Sequence, residues 1–128
     1  DTIQRVLGLE EFDDSKAEPN EYMIIKIRQD VLNSRFGDVY ETARRAWHIN
    51  PQNAARHKYI LVSLYGEVIA IYKNAKWYKS PTEPDRWEFE AVAANKQEDA
   101  LIIERYLHKF LPERYVKKGM ARPTLYQS

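Results

Sequence analysis

Hydrophobic positions along the chain fall into short runs whose spacing switches between that of a helix and that of a strand. In residues 3–12, Ile3, Val6, Leu7, Leu9 and Phe12 recur at roughly helical intervals. An acidic, proline-containing linker, Asp13 to Asn20, follows. Tyr22 to Arg28 is β-branched, and Ile25 and Ile27 alternate with Lys26 and Arg28, which predicts a strand. Val31 to Gly37 reads as a loop. Asp38 has the chemistry to cap a helix running through Trp47, with Val39, Ala43, Ala46 and Trp47 sharing its buried side, Arg44 and Arg45 turned toward others, and Pro51 marking its end.

Two β-rich runs, Tyr59–Leu64 and Val68–Tyr72, flank Tyr65-Gly66, the signature of a tight hairpin. The polar stretch Asn74 to Arg86, with Pro81 and Pro84, reads as a loop. Beyond it Trp87, Phe89 and Ala91 alternate with Glu88 and Glu90, the pattern of a half-buried strand pairing with the hairpin. Asn95 and Glu98 have capping-box spacing ahead of a helix whose apolar stripe is Leu101, Ile102, Tyr106, Leu107 and Phe110, ended by Pro112. Glu113 to Lys118 predicts one more turn closed by Gly119, and Thr124 to Tyr126 a last strand.

The predicted order is β, α, β, β, β, α, β. Strands clustered by hairpins with interspersed helices predict an α+β fold: a small mixed or antiparallel sheet curled into a barrel, with two or three helices. The central hairpin argues against a doubly wound parallel sheet. Residues 1–20 read as an N-terminal helix and acidic linker, and residues 21–128 as the domain.

Composition narrows the chemistry. A chain of 128 residues is long enough to bury a core without staples. Cysteine is absent, which removes disulfides, thiolate metal sites and a cysteine nucleophile. His48, His57 and His108 lack the spacing of a helical metal site. No apolar run approaches the roughly 18–20 residues that span a bilayer, and no signal-peptide h-region opens the chain, so no membrane association and a cytoplasmic location are expected. The start at Asp1 suggests an upstream domain of a longer chain.

Charge is divided unevenly. Residues 1–30 hold eight acidic and four basic side chains, residues 31–128 eleven acidic and sixteen basic. The last stretch sets Arg105, Lys109, Arg114, Lys117, Lys118 and Arg122 against Glu113 alone, a footprint suited to phosphates or, equally, a solvated helix face.

Catalytic signatures are sparse. Asp85, Glu88 and Glu90 loosely match the metal-holding acids of restriction-type nucleases, but Glu90 stands where the expected lysine belongs, and carboxylates on a strand's outer face explain them as well. No nucleophile elbow, P-loop or GxGxxG is present. His48 at a helix end reads as a capping or solvent-facing group. Aromatic and basic residues stand out instead. Tyr40, Arg44, Arg45 and Trp47 share a predicted helix, and Trp77-Tyr78 sits in the predicted loop between Lys76 and Lys79. Rings of this kind hold unpaired or flipped bases by stacking while Arg and Lys meet phosphates. Trp47 and Trp87 read rather as core.

An isoleucine-rich first strand, a helix bearing Tyr40-Glu41 with Arg44 and Trp47, the hairpin at Tyr65-Gly66, Arg86-Trp87-Glu88-Phe89, and a tail with Lys117-Lys118-Gly119 and Pro123 before a last strand together resemble the PUA-like superfamily of ASCH, EVE and SRA-type bacterial domains over about residues 21–126. The resemblance rests on element order and scattered residues, and the GxKxxxxR motif of ASCH domains is absent. It implies a pseudobarrel that binds RNA, or DNA carrying a modified base, in a cleft between sheet and helix. The expected function is therefore a nucleic-acid-binding module, without cofactor, whose site is Tyr40, Arg44, Arg45, Trp77 and Tyr78, with Lys117, Lys118 and Arg122 on phosphates. The alternatives are a nuclease or RNase of the same fold, or a protein-interaction domain.

Overall fold

A computed structural model of the chain describes residues 10–34, 37–44, 47–113, 115 and 123–127. Five strands, β1 (Tyr22–Ile27), β2 (Tyr59–Leu64), β3 (Glu67–Lys79), β4 (Trp87–Ala93) and β5 (Thr124–Tyr126), form one open sheet in the order β4-β3-β2-β1-β5. The pair β1–β2 is parallel and every other pair antiparallel. Among the described residues four short helices, more than the two or three expected, accompany the sheet: α1 (Gln29–Ser34), α2 (Val39–Ala43), α3 (Pro51–Ala54) and α4 (Ala100–Tyr106). The first three occupy the connection from β1 to β2, because parallel neighbours need a long crossover rather than a hairpin. The class is α+β with a mixed sheet.

Side chains alternate across a strand, so β1 serves two cores. Tyr22 and Ile24 face one, with Leu61, Val68, Tyr106 and Leu125. Met23, Ile25 and Ile27 face the other, with Leu32 of α1, Ala43 of α2, Ala54 of α3 and Phe89 of β4. Burial on both faces explains the near-continuous apolar run YMII, each member fully enclosed. Each such large side chain contributes about 1.5–3 kcal/mol on burial. The first core is rich in rings: Phe12 meets Tyr106 edge-on at 4.8 Å and Tyr22 at 5.6 Å. The Tyr22 hydroxyl lies 2.5 Å from that of Tyr115 and donates to Asp14 at 2.6 Å. Burial first, then these hydrogen bonds, pushes the Tyr22 hydroxyl pKa well up, so it stays protonated.

Phe12, the last apolar position of the run read as an N-terminal helix, is buried and seats the segment ahead of the linker on the domain. There Glu11 forms an isolated parallel bridge with Phe110 instead of continuing a helix, while residues 1–9 lie outside the described residues. The Tyr65-Gly66 turn has positive φ at both central residues (53° and 83°), as a type I′ hairpin requires. Asp38 caps α2 by accepting from the Glu41 amide at 3.0 Å.

Several expectations are corrected. Gln29–Ser34 is helical where a loop was expected from Val31. The helix opened by Asp38 ends at Ala43 rather than Trp47, and Pro51 opens α3 at its first turn, behind an Asn50 cap, rather than closing a helix. Asn95 accepts from the Gln97 and Glu98 amides, but in a turn that precedes α4; Glu98 pairs with Lys73 instead of closing a capping box. Leu101 is 74% exposed, off the buried stripe. The largest correction concerns Trp77 and Tyr78, expected in a loop. They belong to β3, which continues past a register shift between Lys73 and Lys76 and a positive φ at Asn74. The loop shrinks to residues 80–86. The turn predicted over Glu113–Gly119 lies largely outside the described residues.

Candidate functional site

The outer edge of β4 is closed by Tyr40 and Arg44, which the sequence assigns to binding, and by Trp47, which it assigns to the core. Arg44 and Trp47 follow α2 alongside that edge. Trp47 and Trp87 exchange both backbone hydrogen bonds (2.8 and 2.9 Å), and the Phe89 amide donates to the Arg44 carbonyl at 3.0 Å. The Tyr40 hydroxyl accepts from the Ala91 amide at 3.1 Å. The Arg44 guanidinium completes the seam. Its Nε donates to the Phe89 carbonyl at 3.2 Å, one terminal nitrogen donates to Glu41 at 3.4 Å, and the other donates to the Tyr78 hydroxyl and lies 4.0 Å from Glu90. The Tyr78 hydroxyl donates onward to Glu88 at 3.1 Å, and Glu88, buried, also accepts from Ser80 at 2.9 Å. Burial, and then the Glu88 bond, raises the Tyr78 hydroxyl pKa.

Of the expected site residues, Tyr40, Arg44 and Tyr78 therefore meet, but around an internal network. Trp77 does not join them. Neighbours on a strand point to opposite faces, and Trp77 packs on Phe89 at 5.1 Å with its Nε1 buried and without a hydrogen-bond partner among the described residues. Arg45, Lys117, Lys118 and Arg122 lie outside the described residues. The acids weighed for a metal are likewise dispersed in role: Glu88 is turned to Tyr78 and Ser80, while Asp85 sits exposed in the loop with φ 65°. Among the described residues no three His, Asp or Glu side chains are grouped to hold a metal.

A second neighbourhood escaped sequence reasoning. A cleft of about 760 Å³ opens between β5 and the segment 47–50 that borders β4, so its two walls come from opposite ends of the sheet. Trp47, His48, Arg86 and Tyr126 carry its aromatic and basic character, and Pro123 and Tyr115 extend the wall. Its volume falls within the roughly 300–1,000 Å³ of ligand sites. In sequence, the cleft-lining Pro123 directly follows Arg122 and the basic tail.

The β5 wall has two further properties. The Lys26 amide donates to the Pro123 carbonyl at 2.7 Å, which makes that pair and Ile24–Leu125 the hydrogen-bonded rungs; the backbone groups of Thr124 and Tyr126 then point away from β1. The Tyr126 ring is stacked on His57, centroids 5.0 Å apart and planes 21° from parallel. Burial raises the Tyr126 hydroxyl pKa and lowers that of His57.

No helix among the described residues is long and apolar enough to cross a membrane. No protein-family model, curated protein or solved structure matches the chain.

Proposed function

We propose that the chain is a nucleic-acid-binding module of PUA-like type, its sheet curled toward a pseudobarrel, that holds a base in the cleft between β5 and residues 47–50. The carrying observation is the cleft itself: aromatic rings from both ends of the sheet, with Arg86 and His48, around a volume fit for a ligand. Stacking on such rings accepts any base, while cations meet the phosphates. Lys117, Lys118 and Arg122 remain the proposed phosphate contacts. Trp47, Tyr126 and His48 take the place of Trp77 and Tyr78 as the stacking surface, because Tyr78 and Arg44 are engaged within the chain and Trp77 packs on Phe89.

The test is fluorescence anisotropy with labelled single- and double-stranded DNA and RNA, with and without modified cytosines. Tyr126→Leu, which removes an edge-strand ring at the margin of the second core and leaves an apolar side chain there, is expected to weaken binding by roughly 1–3 kcal/mol, the loss of one stacking partner. Wild-type affinity in that variant would displace the site from the cleft.

One observation favours a second reading. The outward backbone groups of Thr124 and Tyr126 offer an edge to which an extended peptide can add. A salt-insensitive complex with a peptide, and none with nucleic acid, would establish the protein-interaction alternative.

A further inference from the structure

Tyr126 belongs to a three-residue edge strand, half-buried, with its side chain at the margin of the second core. Here one face of its ring is covered by His57 at 5.0 Å. His57 is itself held. It is buried, follows α3, and its Nδ1 lies 3.0 Å from the Asn53 carbonyl. A carbonyl only accepts, so the proton sits on Nδ1 and the imidazole is fixed to the helix end. The next residues are anchored by the Lys58 amide on the Asn20 carbonyl and the Tyr59 amide on that of Glu21, at 3.1 and 3.0 Å. The imidazole is thus tied to α3 and to the start of β2, and Tyr126 reaches the sheet through Met23 of β1.

We infer that His57, although it does not line the cleft, is its positioning residue: it fixes the plane of Tyr126 so that a flat ring entering the cleft meets a preset stacking platform. The inference rests on the cleft being the nucleic-acid site. Its physical basis is preorganisation, since a platform ordered before binding spares the ligand the entropy of ordering it. The conservative replacement is His57→Phe, which keeps a flat ring against Tyr126. His57→Gln removes the ring.

Two measurements decide it. With isotope-labelled tyrosine, NMR side-chain couplings should show one fixed Tyr126 rotamer in the wild type and in His57→Phe, and averaging in His57→Gln. Anisotropy with a labelled oligonucleotide should show His57→Gln weakened about tenfold, the size of one aromatic contact, and His57→Phe restored toward wild type. In a Tyr126→Leu background, His57→Gln should cause no further loss. A Tyr126 ring as ordered in His57→Gln as in the wild type would overturn the inference, as would an equal loss in both backgrounds. A wild-type protein that binds no oligonucleotide would refute the functional reading, and ring order would then decide the role of His57 alone.

Discussion

Arg44 illustrates how a residue's meaning is set by what it touches. An arginine beside tyrosines suggests a phosphate contact, yet this guanidinium spends its donors on the Phe89 carbonyl, Glu41 and Tyr78, and its backbone carbonyl on the Phe89 amide. Arg44→Ala is expected to lower stability in urea by about 1–3 kcal/mol, through the loss of its hydrogen bonds to the Phe89 carbonyl, Glu41 and the Tyr78 hydroxyl. It should leave the slope of log Kobs against log salt for nucleic acid unchanged, whereas loss of a phosphate contact would reduce that slope by about one. His57 makes a pH-dependent contribution. Burial holds its folded-state pKa below the unfolded value of about 6.5, opposed by its bonds to Asn53 and Ala54 and assisted by Arg56, with Tyr126 stacked on it. The native protein therefore binds fewer protons than the unfolded chain. Its contribution is intact above about pH 6.5 and is lost as pH falls from there through the depressed value. Urea titrations between pH 7.5 and 5 should show that loss in the wild type and a smaller one in His57→Phe.

At the scale of elements, the β4 edge and the β5 edge have different fates. The first is sealed by Trp47, Arg44 and Tyr40; the second faces the cleft. An unsealed edge invites pairing, so the seam protects the end of the sheet with the longer ladder. Tyr40→Phe removes the acceptor of the Ala91 amide and is expected to cost about 0.5–1.5 kcal/mol, with faster hydrogen exchange at Ala91 as the direct readout. Elements with local signals were legible in the sequence: the hairpin at Tyr65-Gly66, the alternation of β4, the Asp38 cap and β5 all follow from turn chemistry or periodicity. What was not legible depends on distant partners. Lys76 to Lys79 is polar enough to pass for loop, and only pairing with β4 makes it strand. Once it is strand, Trp77 and Tyr78 must part to opposite faces. The cleft was hidden for the same reason: Trp47 and Tyr126 stand 79 positions apart in the numbering and meet at one site only through the sheet.

At the scale of the molecule, one mixed sheet with two cores organises the described residues, and the segment before β1 is part of it. Phe12→Ala is expected to cost about 3–5 kcal/mol, since the ring is buried among Tyr22, Tyr106 and Tyr115. A near-neutral effect in thermal denaturation would mean that this segment detaches in solution. The functional account stands or falls on the cleft. Its most direct test is the affinity of a labelled oligonucleotide for wild type and Tyr126→Leu across a salt series. The account predicts wild-type binding that weakens linearly in log–log form with salt, from released counterions, and a variant line displaced by about 5- to 150-fold with the same slope, because stacking is not ionic. Coincident lines, or no salt-dependent binding by the wild type, would contradict it.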